Sequence, residues 1–267
     1  MRASRVAAIA LRQWYLVSHS VSRIVPLFAW VVVDVVLWGL ITRYLNTFTG
    51  AGHNFVPALL GAVLLWDFLT RVMQGVTMAF FEDVWARNFL NVFATPIRIS
   101  EYVTGLVTAS VATSAVGLIV MVIVATAVFG LPLATYGMFL GPFLAVLFLL
   151  GIALGIAGIS IVLRLGPAAE WFIWPLPAIL SPFASVFYPV ASLPPWMQAI
   201  SRLLPPTYVF EGMRSIVLRQ GAPTAPLLWG AGLAVLYVGL ACLLFVRVHR
   251  YAVRTGLIGR YSAETVS

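Results

Sequence analysis

Apolar positions run along this chain in blocks that leave no polar face. The first, "IVPLFAWVVVDVVLWGLITRYL", covers residues 24–45 and is interrupted only by Asp34 and Arg43 as charged groups. Comparable blocks cover 55–81, 102–129, 135–163, 168–190 and 226–247. A bilayer core about 30 Å thick is crossed by ~20 apolar residues in a helix, so the pattern predicts six transmembrane helices. Pro132, Gly166, Pro167, Trp171 and Trp174 punctuate their ends.

Three stretches break the pattern. In residues 4–22, Arg5, Arg12 and His19 recur every seven residues and share one helical face, while Val6, Ile9, Trp14, Leu16 and Val17 cover much of the rest. That spacing predicts a helix lying in the membrane interface with Arg toward headgroups, in preference to a frayed basic terminus. Residues 188–221 are apolar but broken by Pro194-Pro195 and Pro205-Pro206. Each piece, at ~1.5 Å per residue, is too short to cross a bilayer. Two short re-entrant helices are expected there. Ser192 is placed to cap the first, Pro194 or Pro195 to open it, and Glu211 and Arg214 to pair on the second.

The third stretch, "AFFEDVWARNFLNVFATPIRISEY" at 79–102, is too apolar for a loop and too charged for a span. On a helical wheel Asp83, Arg87 and Asn91 fall on one side, and Trp85, Phe89, Val92 and Phe93 on the other. An amphipathic helix of about 82–94 is expected, ended by Thr95-Pro96. Ser100 would cap the third span, with Glu101 at the favourable end of its dipole. The apolar face would lie on the bundle. Glu82, Asp83, Arg87, Asn88 and Asn91 would remain available to a partner.

Composition agrees with a membrane protein: 62% of the 267 residues are hydrophobic, mean hydropathy is +1.02, and too little polar surface exists to cover a soluble domain. The chain is expected to be an all-α polytopic membrane protein forming one transmembrane domain over 1–267. Its parts are the interfacial helix (1–23), spans one to five (24–190), re-entrant helices (191–221), sixth span (226–247) and tail (248–267).

Charge then orients it. All sixteen basic residues are Arg. With both termini cytoplasmic, eleven of them lie inside and four outside, with Arg71 within the second span. That asymmetry follows the positive-inside rule and places 82–94 in the cytoplasm. It also explains the net charge of +8 without a nucleic-acid partner. The lone Cys242 allows no intrachain disulfide, and no cleavable signal peptide is evident in residues 2–23.

The chemistry available is sparse. Asp34 lies mid-span, and Asp67 and Arg71 are i,i+4 neighbours able to neutralise each other. A proton-coupled carrier would use Asp34; a structural hydrogen bond between helices is the plainer reading. Gly151, Gly155 and Gly158 permit close approach of a neighbouring helix. Arg164 and Glu170 bracket the connection between the fourth and fifth blocks as interfacial anchors. His19, His53 and His249 are scattered, so no metal-ligand spacing arises, and no nucleophile motif supports a membrane enzyme acting on lipids. Without Lys, the phosphate-cradling G-x-x-x-x-G-K-[ST] loop cannot be built from this chain.

Two motifs carry a family resemblance. "NVFATPIRISEYVTGLV" at 91–107 resembles the Leu-x-Ala-Thr-Pro-Ile-Ser-Arg-x-Glu-Tyr stretch that follows the coupling helix of type 2 ATP-binding-cassette exporter permeases. "SLPPWMQAISRLLPPTYVFEGMRSIVLRQG" at 192–221 is similar to that family's Leu-Pro-x-Trp-Leu-Gln…Asn-Pro-Leu-Thr…Gly-x-Arg pattern. The order of parts matches over nearly the whole chain. The resemblance implies an inner-membrane exporter in which two permease copies, as a homodimer, pair with two ATPase subunits. Those subunits bind ATP and Mg and dock on the coupling helix. Family cargo includes polysaccharides, glycolipids, drugs and lipo-oligosaccharides. The sequence departs from the pattern at "ARNFLN" (86–91) and at Pro205-Pro206, where Gly-Thr-Leu-Glu and Asn-Pro are usual.

Overall fold

The computed structural model describes residues 2–18, 21–49, 56–86, 92 and 95–257. Among the described residues the chain is helix and turn throughout. A helix α1 (Ala3–Ser18) precedes a long α2 (Val21–Thr49). A π-helical turn, Val56–Leu60, leads into α3 (Gly61–Trp85), and α4 (Ile99–Phe129) and α5 (Leu140–Leu165) follow. Short helices α6 (Leu176–Leu180), α7 (Pro195–Ser201) and α8 (Pro205–Val217) come before the last long helix, α9 (Thr224–Arg254).

Four continuous stretches are long and apolar enough to cross a membrane: Val56–Trp85, Ile99–Phe129, Leu133–Leu165 and Thr224–Arg254. They correspond to the expected second, third, fourth and sixth spans, each longer than the apolar block alone. The first expected span is the 29-residue α2. The fifth differs from expectation, because 168–190 is not one helix. It is a 3₁₀ segment Pro167–Phe172, the single turn-and-a-half of α6, and irregular turns up to Tyr188. The cause is local. Pro167, Pro175, Pro177, Pro182 and Pro189 recur through it, and each removes a helix donor and crowds the preceding turn.

The interior is built on α3 and α5. Large side chains with essentially no exposure, among them Leu65, Leu69, Met73, Phe80, Phe81 and Phe143, fill it. Close approach between the two helices follows from the glycine series. A methyl group at Gly151 would lie 2.9 Å from the Leu69 carbonyl oxygen, and one at Gly155 would lie 2.8 Å from Val76 Cβ. Without hydrocarbon-versus-water contrast to drive association, such backbone proximity is what holds spanning helices together. Both α4 and α9 flank this pair, leaving Ile119, Ile123, Leu236 and Leu240 exposed, as expected of surfaces facing lipid.

The stretch 191–221 contains the two expected short helices, with Pro195 and Pro205 opening α7 and α8. Ser192 does not cap α7. Its hydroxyl donates to the Pro189 carbonyl instead, and Pro194 stands at the cap position. Ser100 likewise lies inside the first turn of α4, whose cap position is Arg98.

Candidate functional site

The carboxylates expected to face a partner sit at the joint between α1, α3 and α4. Helix α3 continues to Trp85, so residues 82–85 are the end of a spanning helix and not the first turn of a separate one. Of the remaining coupling stretch, Arg87, Asn88, Phe89, Asn91 and Phe93 lie outside the described residues, and Thr95-Pro96 form the expected break.

Asp83 is a correction to the sequence expectation. Its side chain has 0% exposure. Arg12 of α1 grips both of its oxygens, with Arg12 Nη1 at 3.1 Å from Oδ2 and Nη2 on Oδ1. Tyr102 of α4 donates its hydroxyl to Oδ2 at 2.6 Å. A carboxylate that has lost its water is tolerable only with such partners. In turn its hydrogen bonds push the Arg12 guanidinium above its usual range, outweighing desolvation. Trp85, expected against the bundle, is instead 47% exposed and donates its indole N–H to Glu170 at 3.0 Å.

The other end of the coupling stretch carries a second clamp. Glu101 accepts from the Arg2 backbone N–H at 2.8 Å and from Arg5 Nη1 at 3.3 Å. It also accepts from the Arg98 N–H at 3.1 Å, completing the N-terminus of α4. Gln13 adds a bond from its amide to the Ala79 carbonyl at 3.2 Å, and Ile9 fits against Gly105. So Arg5 and Arg12 do share a face, but it turns inward to buried acids. Leu11, Trp14 and Tyr15 are the exposed ones. The reason is electrostatic: two carboxylates taken out of water need counter-charge, and the arginines of α1 supply it. His19 lies outside the described residues. Periodicity found the Arg face. It held no signal that Asp83 and Glu101 would meet it, since those contacts span 71 to 99 residues of sequence.

Farther along α3, Asp67 and Arg71 flank the midpoint of the Val56–Trp85 run, and Asp34 sits at the middle of α2. The three interact electrostatically: Arg71 with both carboxylates, and the carboxylates with each other. Sequence expected the Asp67–Arg71 pairing; Asp34 joining it is a product of the fold.

At the end of the bundle away from α1, Glu211 and Arg214 pair as expected, at 2.9 Å. Arg214 also donates to the Ser185 carbonyl at 2.8 Å and to the Val186 carbonyl at 3.3 Å. Glu211 accepts from the Val190 N–H at 2.8 Å. The pair thereby fastens α8 to the proline-broken segment, where Ser185 is held at φ 55°, a strained conformation for a residue with a Cβ. Arg164 lies 4.7 Å above the Tyr251 ring, tying α5 to α9, and His249 stacks on Phe245. Among the described residues no three His, Cys, Asp or Glu come together in a metal-binding group.

The arrangement is a membrane bundle with ion-paired joints and no assembled nucleophile, base or metal centre among the described residues. A search of curated proteins found no match. The family model for the ABC-2 type transporter matches residues 6–218, taking in most of α1, the Arg12–Asp83 clamp, Glu101, the intramembrane charges and the short helices α7 and α8. The chain therefore belongs to the ABC-2 type transporter family and is a membrane-spanning permease subunit of such a transporter.

Proposed function

We propose that this chain is the permease of an ATP-driven exporter in the inner membrane, crossing six times with both termini in the cytoplasm. It works as a homodimer, two copies pairing with two separate ATPase subunits that bind ATP and Mg. The stretch between Asp83 and Glu101 is the docking element, with Arg87, Asn88 and Asn91 as the contact residues and Glu82 at its edge. The observation that supports this reading best is the double clamp. Helix α1 grips the chain immediately before and after that stretch through Arg12–Asp83 and Arg5–Glu101. A push from outside is thus delivered to α1, α3 and α4 together. Neither end can shift without breaking charged contacts, and these are costly to break once desolvated. The cargo we infer is amphipathic, lipid-linked or glycan- or drug-like, moved outward.

Co-purification tests the reading. The chain expressed with an ATP-binding-cassette ATPase encoded beside its own gene should bring that ATPase down, and Arg87→Glu with Asn91→Asp should release it while leaving the permease folded. An ATPase retained at full yield by that variant would overturn the docking assignment; no ATPase with the unmodified chain would overturn the function. Asp83 is unsuitable for this test because its loss disturbs the clamp.

A further inference from the structure

One face of α3 is unlike the rest of it. Residues 61–65, 68–69, 72–73, 76–77 and 79–81 are buried, whereas Trp66, Asp67, Thr70, Arg71, Gln74, Gly75 and Met78 are half-open. These positions follow the i, i+3, i+4 spacing of a single helical stripe, and its centre is polar. The stripe lies at the depth of the hydrocarbon core, where polar side chains belong against protein or a water-filled path, not lipid.

Four groups meet there from three helices. Asp34 comes from the middle of α2, and Asp67 and Arg71 from α3. From α4 comes Ser114, at the centre of that helix. Ser114 lies on the face of α4 that packs on α3. One turn before it, the Ser110 hydroxyl bonds the Val72 carbonyl at 3.0 Å. One turn after it, a Cβ at Gly117 would sit 3.2 Å from Arg71 Cδ. Ser114 is 3% exposed, and its hydroxyl has no hydrogen-bond partner among the described residues; the same is true of Asp67 Oδ2. Unsatisfied buried polar atoms at membrane depth are costly unless something fills them. The charges do not balance either, since two carboxylates face one guanidinium.

We propose that Asp34, Asp67, Arg71 and Ser114 form an intramembrane site that binds the positively charged, ammonium-type group of an amphipathic cargo. The excess carboxylate supplies the counter-charge. Asp67 Oδ2 and the Ser114 hydroxyl supply acceptors, with Arg71 one turn from Asp67 on α3. The half-open stripe through Thr70 and Gln74 is the way in, and the neighbouring Trp66 and Trp38 rings offer apolar cover for the cargo's chain. This rests on the permease reading and names its cargo chemistry.

The test is binding of radiolabelled dodecylammonium to the permease–ATPase complex in phosphatidylcholine nanodiscs, read by scintillation proximity with empty nanodiscs subtracted. Dodecyl sulfate and dodecanol, carrying the same chain, are measured separately. The cation should bind at least about tenfold tighter than either, the size of one charged hydrogen-bonded contact. Equal binding of the three probes overturns the site, and does so on the unmodified protein. Asp34→Asn should remove the preference and Asp34→Glu restore it. Arg71→Gln, which raises the excess negative charge, should tighten cation binding, an effect opposite in sign to simple structural damage. Transport that follows an imposed pH gradient without ATP and vanishes in Asp34→Asn would make the group a proton carrier and overturn both readings. A complex that forms and hydrolyses ATP yet shows no cation preference overturns the site alone. Should no ATPase associate, the same binding series on the isolated permease still decides the site.

Discussion

Asp83 shows how much one residue's surroundings decide. A carboxylate with no exposure is held by Arg12 from α1 and Tyr102 from α4. Removing the arginine leaves that charge with a single phenol. Arg12→Ala should therefore lower stability by about 3 kcal/mol, the scale on which breaking a buried pair acts, seen as a fall in the melting temperature of the purified protein. Pairing it with Asp83→Asn should recover much of the loss, because the uncompensated charge is then gone. An unchanged melting temperature in Arg12→Ala would show that the clamp carries no load. The sequence made Asp83 conspicuous as a charge in an apolar chain. It did not tell which way the side chain pointed, because helical spacing says which residues share a face and not what that face meets.

At the level of elements, long apolar blocks were readable and a broken one was not. The second, third, fourth and sixth blocks became continuous helices, since length and hydropathy suffice for a spanning helix. The fifth block has the same apolar content, and proline spacing overrode it. The Gly151 and Gly155 series was read as a close-packing signal, and α3 is indeed the helix it admits. Gly151→Ala should destabilise the protein by about 1–3 kcal/mol, because the added methyl meets Val72 and the Leu69 carbonyl and the backbones must part. Gly232→Ala, where a methyl meets nothing within 4 Å, is the control and should be neutral or slightly stabilising. Equal effects of the two substitutions would remove the packing explanation.

For the whole molecule, sidedness links the clamps to function. Arg5, Arg12, Arg98, Arg164 and Arg254 belong to helix ends gathered near α1, while Met138, Arg202 and Arg219 belong to the opposite end. In a Cys242→Ala background, a single cysteine at Met138, which is 84% exposed, should react with a membrane-impermeant maleimide added outside intact cells. A cysteine at Arg98 should react only after permeabilisation. The reverse pattern would invert the orientation and place the clamps away from any cytoplasmic ATPase.

By itself the sequence determined the membrane class, most of the long helices, the two short proline-opened helices and the Glu211–Arg214 pair. Each of these depends on composition, run length or spacings of a few residues, which are local properties of a chain in a bilayer. It also determined that no Lys-dependent phosphate loop is built here. Only the tertiary structure decided that the arginines of α1 turn inward to Asp83 and Glu101, and that Asp34 and Ser114 converge on Asp67 and Arg71. Those meetings join residues far apart in the chain. Their partners are chosen by desolvation: a charge removed from water takes whatever counter-charge the packed helices bring within reach.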